Sequence, residues 1–104
     1  LLAAAKAIYR QTAYSELCRL LPEESILRPS STLSGGMKRR AAIARALLSP
    51  SQAVIMDEPF TGLDEDTKQT VIDYVKEKTA GKLLLITTHQ EEEAAALNGR
   101  IVKL

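Results

Sequence analysis

"QAVIMDEP", residues 52–59, places four apolar residues (Ala53, Val54, Ile55, Met56) directly before two carboxylates and closes them with Pro59. So short an apolar run, β-branched at its centre and ended by a proline, reads as a buried strand. Downstream, "TGLDEDTKQTVIDYVKEKTAGK" (residues 61–82) has Asp64 as N-cap, Val71, Ile72 and Val75 on one face, and Gly81 as terminator, the pattern of an amphipathic helix. "LLLITTH" (residues 83–89) is a second buried strand, "QEEEAAAL" (90–97) a short acidic helix, and "RIVKL" (100–104) a third strand. Strand, helix, strand in this order predicts a right-handed crossover in a parallel sheet covered on both faces, so the fold class is α/β.

In such sheets ligands bind beyond the carboxyl ends of the strands. The first strand delivers Asp57 and Glu58 to that edge, and the second delivers His89. Asp57, at the end of an apolar strand, suits a water-bridged Mg²⁺. If strand geometry persists, Glu58 projects the other way and aims at a different atom, such as an attacking water. His89, the only histidine, can donate a hydrogen bond to a terminal phosphate. Taken singly, each also has an ordinary reading: an Asp-Glu-Pro turn, and a solvated histidine after a strand.

Upstream, "LSGGMKRRAAIARALL" (residues 33–48) opens with Ser34 as N-cap and runs as a helix until Ser49 and Pro50 stop it. Gly35 and Gly36 then occupy the first turn, where uncapped N–H groups and the helix dipole favour an anion and no side chain obstructs one. Residues 1–21 read as helical, with Leu1, Leu2, Ala5, Ile8, Tyr9, Leu17, Leu20 and Leu21 at helical spacing and a break expected at residues 12–15. "PEESILRPSST" (22–32) reads as a polar connection. Cys18, Met37 and Met56 read as packing residues.

The chain has 104 residues, 45% of them hydrophobic, enough for one small core. Fourteen basic and thirteen acidic residues leave a net charge of +1, so no nucleic-acid partner is expected. A single cysteine forms no internal disulfide. The apolar runs fall short of a membrane span, so a membrane role would act through a partner.

The order "LSGGMKRRAAIARALL", "AVIMDEP", "TGLD", "ITTH" closely resembles the nucleotide-binding subunits of ABC transporters. The resemblance implies part of the P-loop ABC-ATPase fold: residues 1–50 as the end of the helical subdomain with the signature helix, and 51–104 as the carboxyl-terminal part of the ATPase core. It implies ATP and Mg²⁺ as ligands. Ser34, Gly35, Gly36 and Met37 would form the signature contact with the γ-phosphate, Met37 standing where many members have Gln. Asp57 would help hold Mg²⁺, Glu58 would polarise the hydrolytic water, His89 would contact the γ-phosphate, and Asp64, in the D-loop, would communicate across a dimer. The implied partners are a second nucleotide-binding subunit and transmembrane transporter subunits, at the cytoplasmic face of a membrane, as in a bacterial inner membrane. "DEPFTGLD" and "LSGGMKRR" look most like subunits of bacterial importers.

The sequence contains no G-x-x-x-x-G-K-[ST]: at its only Gly-Lys pair, Gly81-Lys82, Lys76 occupies the first-glycine position and Leu83 follows. Gln11 lies too near the signature for a Q-loop. The expectation is therefore a carboxyl-terminal fragment, inactive alone, of a subunit that hydrolyses ATP. Two alternatives remain: an ABC-type ATPase of DNA repair or translation, the former calling for a long coiled coil before the signature, and a non-catalytic interaction module that retains the fold.

Overall fold

The computed structural model describes residues 2–104, and the side chains of residues 10–29 and 31–104. The chain forms two compact units, Leu1–Leu48 and Ser49–Leu104.

The first unit contains α1 (Leu2–Leu20), α2 (Glu23–Ile26), a 3₁₀ turn (Ser30–Thr32) and α3 (Gly35–Leu48). The expected break at residues 12–15 does not occur. That stretch holds neither glycine nor proline, and its polar residues cost a long helix only tenths of a kcal/mol each, about 0.5 at most. The apolar positions Leu1, Leu2, Ala5, Ile8 and Tyr9 lie outside the described side chains. Leu20, Leu21, Ile43, Ala44 and Leu47 are buried, and α3 packs on α1. At that junction the Arg40 guanidinium donates to the Leu20 carbonyl at 2.8 Å, placing a cation on the unsatisfied carbonyl end of α1.

The connection at residues 22–32 is more structured than its composition suggests. Pro22, with no N–H to leave unpaired, opens α2, and the buried Ser25 hydroxyl donates to its carbonyl at 2.7 Å. Arg28 closes the next turn by donating to the Thr32 carbonyl at 2.7 Å. Cys18, expected in the packing, is exposed.

The second unit contains β1 (Ala53–Asp57), α4 (Glu65–Lys78), β2 (Leu83–Thr87) and α5 (Glu91–Ala96). β1 and β2 pair in parallel from Ala53 opposite Leu83 to Asp57 opposite Thr87, with α4 as the crossover. Asp64 caps α4, its Oδ1 accepting from Thr67 N at 2.8 Å. The helix ends at Lys78, and Gly81, at φ 78°, turns the chain into β2. Val54 and Met56 of β1, Phe60, and Val71, Ile72, Tyr74 and Val75 on or near one face of α4 are buried.

Two expectations fail in this unit. The sheet is not covered on both faces: Ile55, Leu83 and Leu85, on the side opposite Val54 and Met56, are 75%, 69% and 57% exposed. A single crossover helix can cover one face only. Residues 100–104 form no strand, and Ile101 and Val102 remain exposed, because β-branched residues make a strand only where a ladder partner is available. Among the described residues, no helix is long and apolar enough to cross a membrane.

Candidate functional site

The last pair of the parallel ladder, Asp57 and Thr87, stands at the carboxyl edge of the sheet. Paired residues project from the same face, so the Thr87 hydroxyl reaches the Asp57 carboxylate and donates to its Oδ1. The chain then leaves the ladder. Glu58 N still donates to the Thr87 carbonyl at 3.0 Å and lies 3.2 Å from its Oγ1. Glu58 itself takes φ 47°, in the left-handed region. Strand alternation therefore stops at Asp57, and the condition under which Glu58 would project to the other side by alternation is not met. For a residue with a Cβ, that backbone costs about 1 kcal/mol or more, a strain that tends to collect at functional sites.

The left-handed turn brings the Glu58 side chain to the end of β2. Its Oε1 lies 3.3 Å from His89 Nε2, and Thr61 Oγ1 is 3.4 Å from its Oε2. The imidazole is 97% exposed and the carboxylate 31%, so the pair faces solvent at the sheet edge. Asp57, Glu58 and His89 thus occupy one edge of the second unit, with Thr87 between the two strand ends.

The residues flanking His89 are held from behind. Thr88 Oγ1 donates to Glu93 Oε1 and accepts from Gln90 N at 3.0 Å. Glu93, 4% exposed, pairs with Lys68 Nζ at 3.3 Å, and Lys68 also donates to Gln90 Oε1 at 3.2 Å. Burial disfavours the Lys68 charge, but the hydrogen bond it donates to Glu93 and the fields of Glu65, Glu93 and Glu92 outweigh it and hold its pKa above the ordinary value of 10.5. The first turns of α4 and α5 are thereby joined, with Asp64 capping the former.

In the first unit, Ser34 Oγ accepts from Met37 N at 3.1 Å and the Ser34 carbonyl from Lys38 N at 2.9 Å. Ser34 is therefore the cap read from the sequence. The N–H groups of Gly35 and Gly36, in the first turn, have no partner within the helix. A Cβ at Gly35 would meet nothing within 4 Å, so that approach is open. Met37 is half-buried.

Magnesium takes oxygen ligands, with one or two carboxylates supplemented by phosphate and water. Among the described residues no three His, Cys, Asp or Glu side chains gather to hold a metal, so the protein's contribution at the strand end would be the single carboxylate of Asp57, an oxygen donor of the kind that suits such an ion.

A parallel β-α-β unit with an acidic strand edge, joined in sequence to a helix that opens on two glycines, is consistent with part of a P-loop NTPase fold of the ABC type. The ABC transporter family model matches residues 5–61, and the chain belongs to that family. It is similar to the Nod factor export ATP-binding protein I of Rhizobium etli, 42% identical over 90 residues, which are 86% of this chain and 28% of that protein. The same-named protein of Rhizobium meliloti is 47% identical over 75 residues, covering 71% of this chain and 22% of that protein. ABC transporter A family member 9 of Arabidopsis thaliana is 43% identical over 72 residues, 69% of this chain and 8% of that protein. The chain thus spans less than a third of the length of each of these relatives.

Sequence reading passed over Thr87, Thr88, Lys68 and Glu93. Thr87 could have been found by aligning the carboxyl ends of the two strands, which sets it beside Asp57. The Lys68 and Glu93 pair carries no local signal, because each stands in an ordinary run of helical charges.

Proposed function

We propose that this chain is part of the ATP-binding and ATP-hydrolysing subunit of an ABC transporter that energises solute movement across a membrane. The observation that carries the reading is the edge cluster: the Glu58 carboxylate 3.3 Å from the His89 imidazole, beside an Asp57 carboxylate held by Thr87. Residues 1–50 supply the signature helix and 51–104 the carboxyl-terminal part of the ATPase core.

Asp57 would hold Mg²⁺, which when bound neutralises charge on the ATP phosphates. Glu58, next to solvent, would accept a hydrogen bond from the attacking water and orient it. His89, 3.3 Å from the Glu58 carboxylate, would present its ring to the γ-phosphate. Phosphoryl transfer depends mainly on positioning and electrostatic stabilisation, so the rigidity of this edge matters more than covalent chemistry. Ser34 and the backbone of Gly35, Gly36 and Met37 would meet the γ-phosphate of ATP held by a second nucleotide-binding subunit, and Asp64 would contact that subunit. Transmembrane subunits would hold the assembly at the cytoplasmic face of the membrane. The Rhizobium relatives are named for export, which favours outward transport over the importer likeness of two short motifs.

These residues alone lack a phosphate-wrapping P-loop and are expected to hydrolyse ATP poorly or not at all. The reading is tested by Glu58→Gln in the full-length polypeptide with its partner subunits. Nucleotide binding is expected to persist while turnover falls roughly a hundredfold or more. Equal turnover by variant and parent would remove Glu58 from the reaction.

A further inference from the structure

We propose that Thr87 is a positioning residue of the hydrolytic site, its single hydroxyl orienting the Asp57 carboxylate and fixing the backbone of Glu58. The proposal rests on the roles assigned to Asp57 and Glu58 above.

A hydroxyl has one proton to give and two lone pairs with which to accept. At Thr87 the proton goes to Asp57 Oδ1, and Glu58 N approaches Oγ1 at 3.2 Å as donor. Each bond sets the direction of the other. The donated bond fixes the orientation of the Asp57 carboxylate at the end of β1. Glu58 N–H also meets the Thr87 carbonyl at 3.0 Å, so one residue holds that amide at two points. The left-handed backbone of Glu58 at φ 47° is pinned from the neighbouring strand, and the direction of its carboxylate follows from it.

Register explains why residue 87 can do this. It is the direct partner of Asp57 in the last rung of the ladder, on the same face of the sheet. Valine would fill the same position with the same branching and a favourable strand propensity, but without the hydroxyl. The carbonyl bond to Glu58 N would survive that change, so the hydroxyl can be removed with the strand pairing intact.

The test uses Thr87→Val and Thr87→Ser in the full-length polypeptide assembled with its partner subunits. In protein free of nucleotide and metal, the amide of Glu58 is followed by hydrogen exchange; Mn²⁺ affinity in the presence of ATP is measured by electron paramagnetic resonance, and kcat and KM by steady-state hydrolysis. Thr87→Val is expected to exchange faster at Glu58, with Mn²⁺ affinity and kcat about ten- to a hundredfold lower, as is usual when a group supporting a metal ligand is lost. KM for ATP and the unfolding midpoint are expected to stay near the parental values, and Thr87→Ser to restore exchange, affinity and kcat. Parental exchange and Mn²⁺ affinity in Thr87→Val would overturn the proposal while leaving the functional reading in place. Equal losses in the valine and serine variants would also overturn it, since the hydroxyl would then not be the group that matters. A parent without Mg²⁺-dependent ATP hydrolysis would overturn the functional reading itself, and this proposal with it.

Discussion

Glu58 Oε1 and His89 Nε2 lie 3.3 Å apart, although each residue follows a different strand of the parallel pair. The contact depends on the left-handed backbone of Glu58, which turns its side chain toward the end of β2. His89→Ala in the assembled transporter is expected to retain ATP binding and to lose hydrolysis roughly a hundredfold, in line with loss of one preorganised polar group at a reacting phosphate. Parental turnover, measured by phosphate release, would show that the imidazole takes no part.

The strain at Glu58 is measurable without nucleotide. Glycine accepts φ 47° at no steric cost, whereas alanine does not. Glu58→Gly is therefore expected to be more stable than Glu58→Ala by about 1 kcal/mol, with hydrolysis lost in both. A urea series with glycine the less stable of the two would contradict the strain.

Lys68 predicts a particular alkaline behaviour. Its folded pKa is raised, so the folded chain keeps the proton to higher pH than the unfolded chain. The stability it contributes is fully present below the ordinary value of 10.5 and is lost as pH climbs through the folded value. Lys68→Met should be less stable at neutral pH, because Glu93 stays buried without its cation, and should lose less on going to alkaline pH than the parent does. Lys68→Arg keeps its charge throughout and should retain more neutral-pH stability than the methionine variant while lacking the alkaline loss. Parallel declines in all three unfolding curves would place the alkaline sensitivity elsewhere.

Asp64 has two separable tasks. As N-cap of α4 it satisfies Thr67 N at 2.8 Å, and its Oδ2 accepts from Thr67 Oγ1 at 3.1 Å. Asp64→Ala is expected to cost about 1 kcal/mol of stability, and Asp64→Asn, which still caps, much less. If Asp64 also communicates across the dimer, Asp64→Asn will lower hydrolysis in the assembly despite near-parental stability. Parental hydrolysis in that variant would leave Asp64 as a cap alone.

Much of the site was legible because its parts are local. Asp57, Glu58 and His89 follow apolar strands, and the crossover rule brings two parallel strand ends to one edge. Ser34 and Asp64 were recognisable as caps because a cap bonds only to its own helix. The third strand was misread from its β-branched residues, since Ile101 and Val102 express strand preference only against a partner. Cys18 was misread because helical spacing alone does not reveal which side of α1 is covered.

The sequence by itself determined the succession from α3 through β1, α4 and β2 to α5, the two helix caps, the parallel crossover and the family, all properties of residues near one another in the chain or of motifs in order. Tertiary structure decided the rest. It turned Glu58 out of strand geometry, joined Thr87 to Asp57, buried Glu93 against Lys68 and left Ile55, Leu83 and Leu85 uncovered. Each of these depends on register or on what lies across a face, and so on distances between segments that a local pattern of residues does not contain.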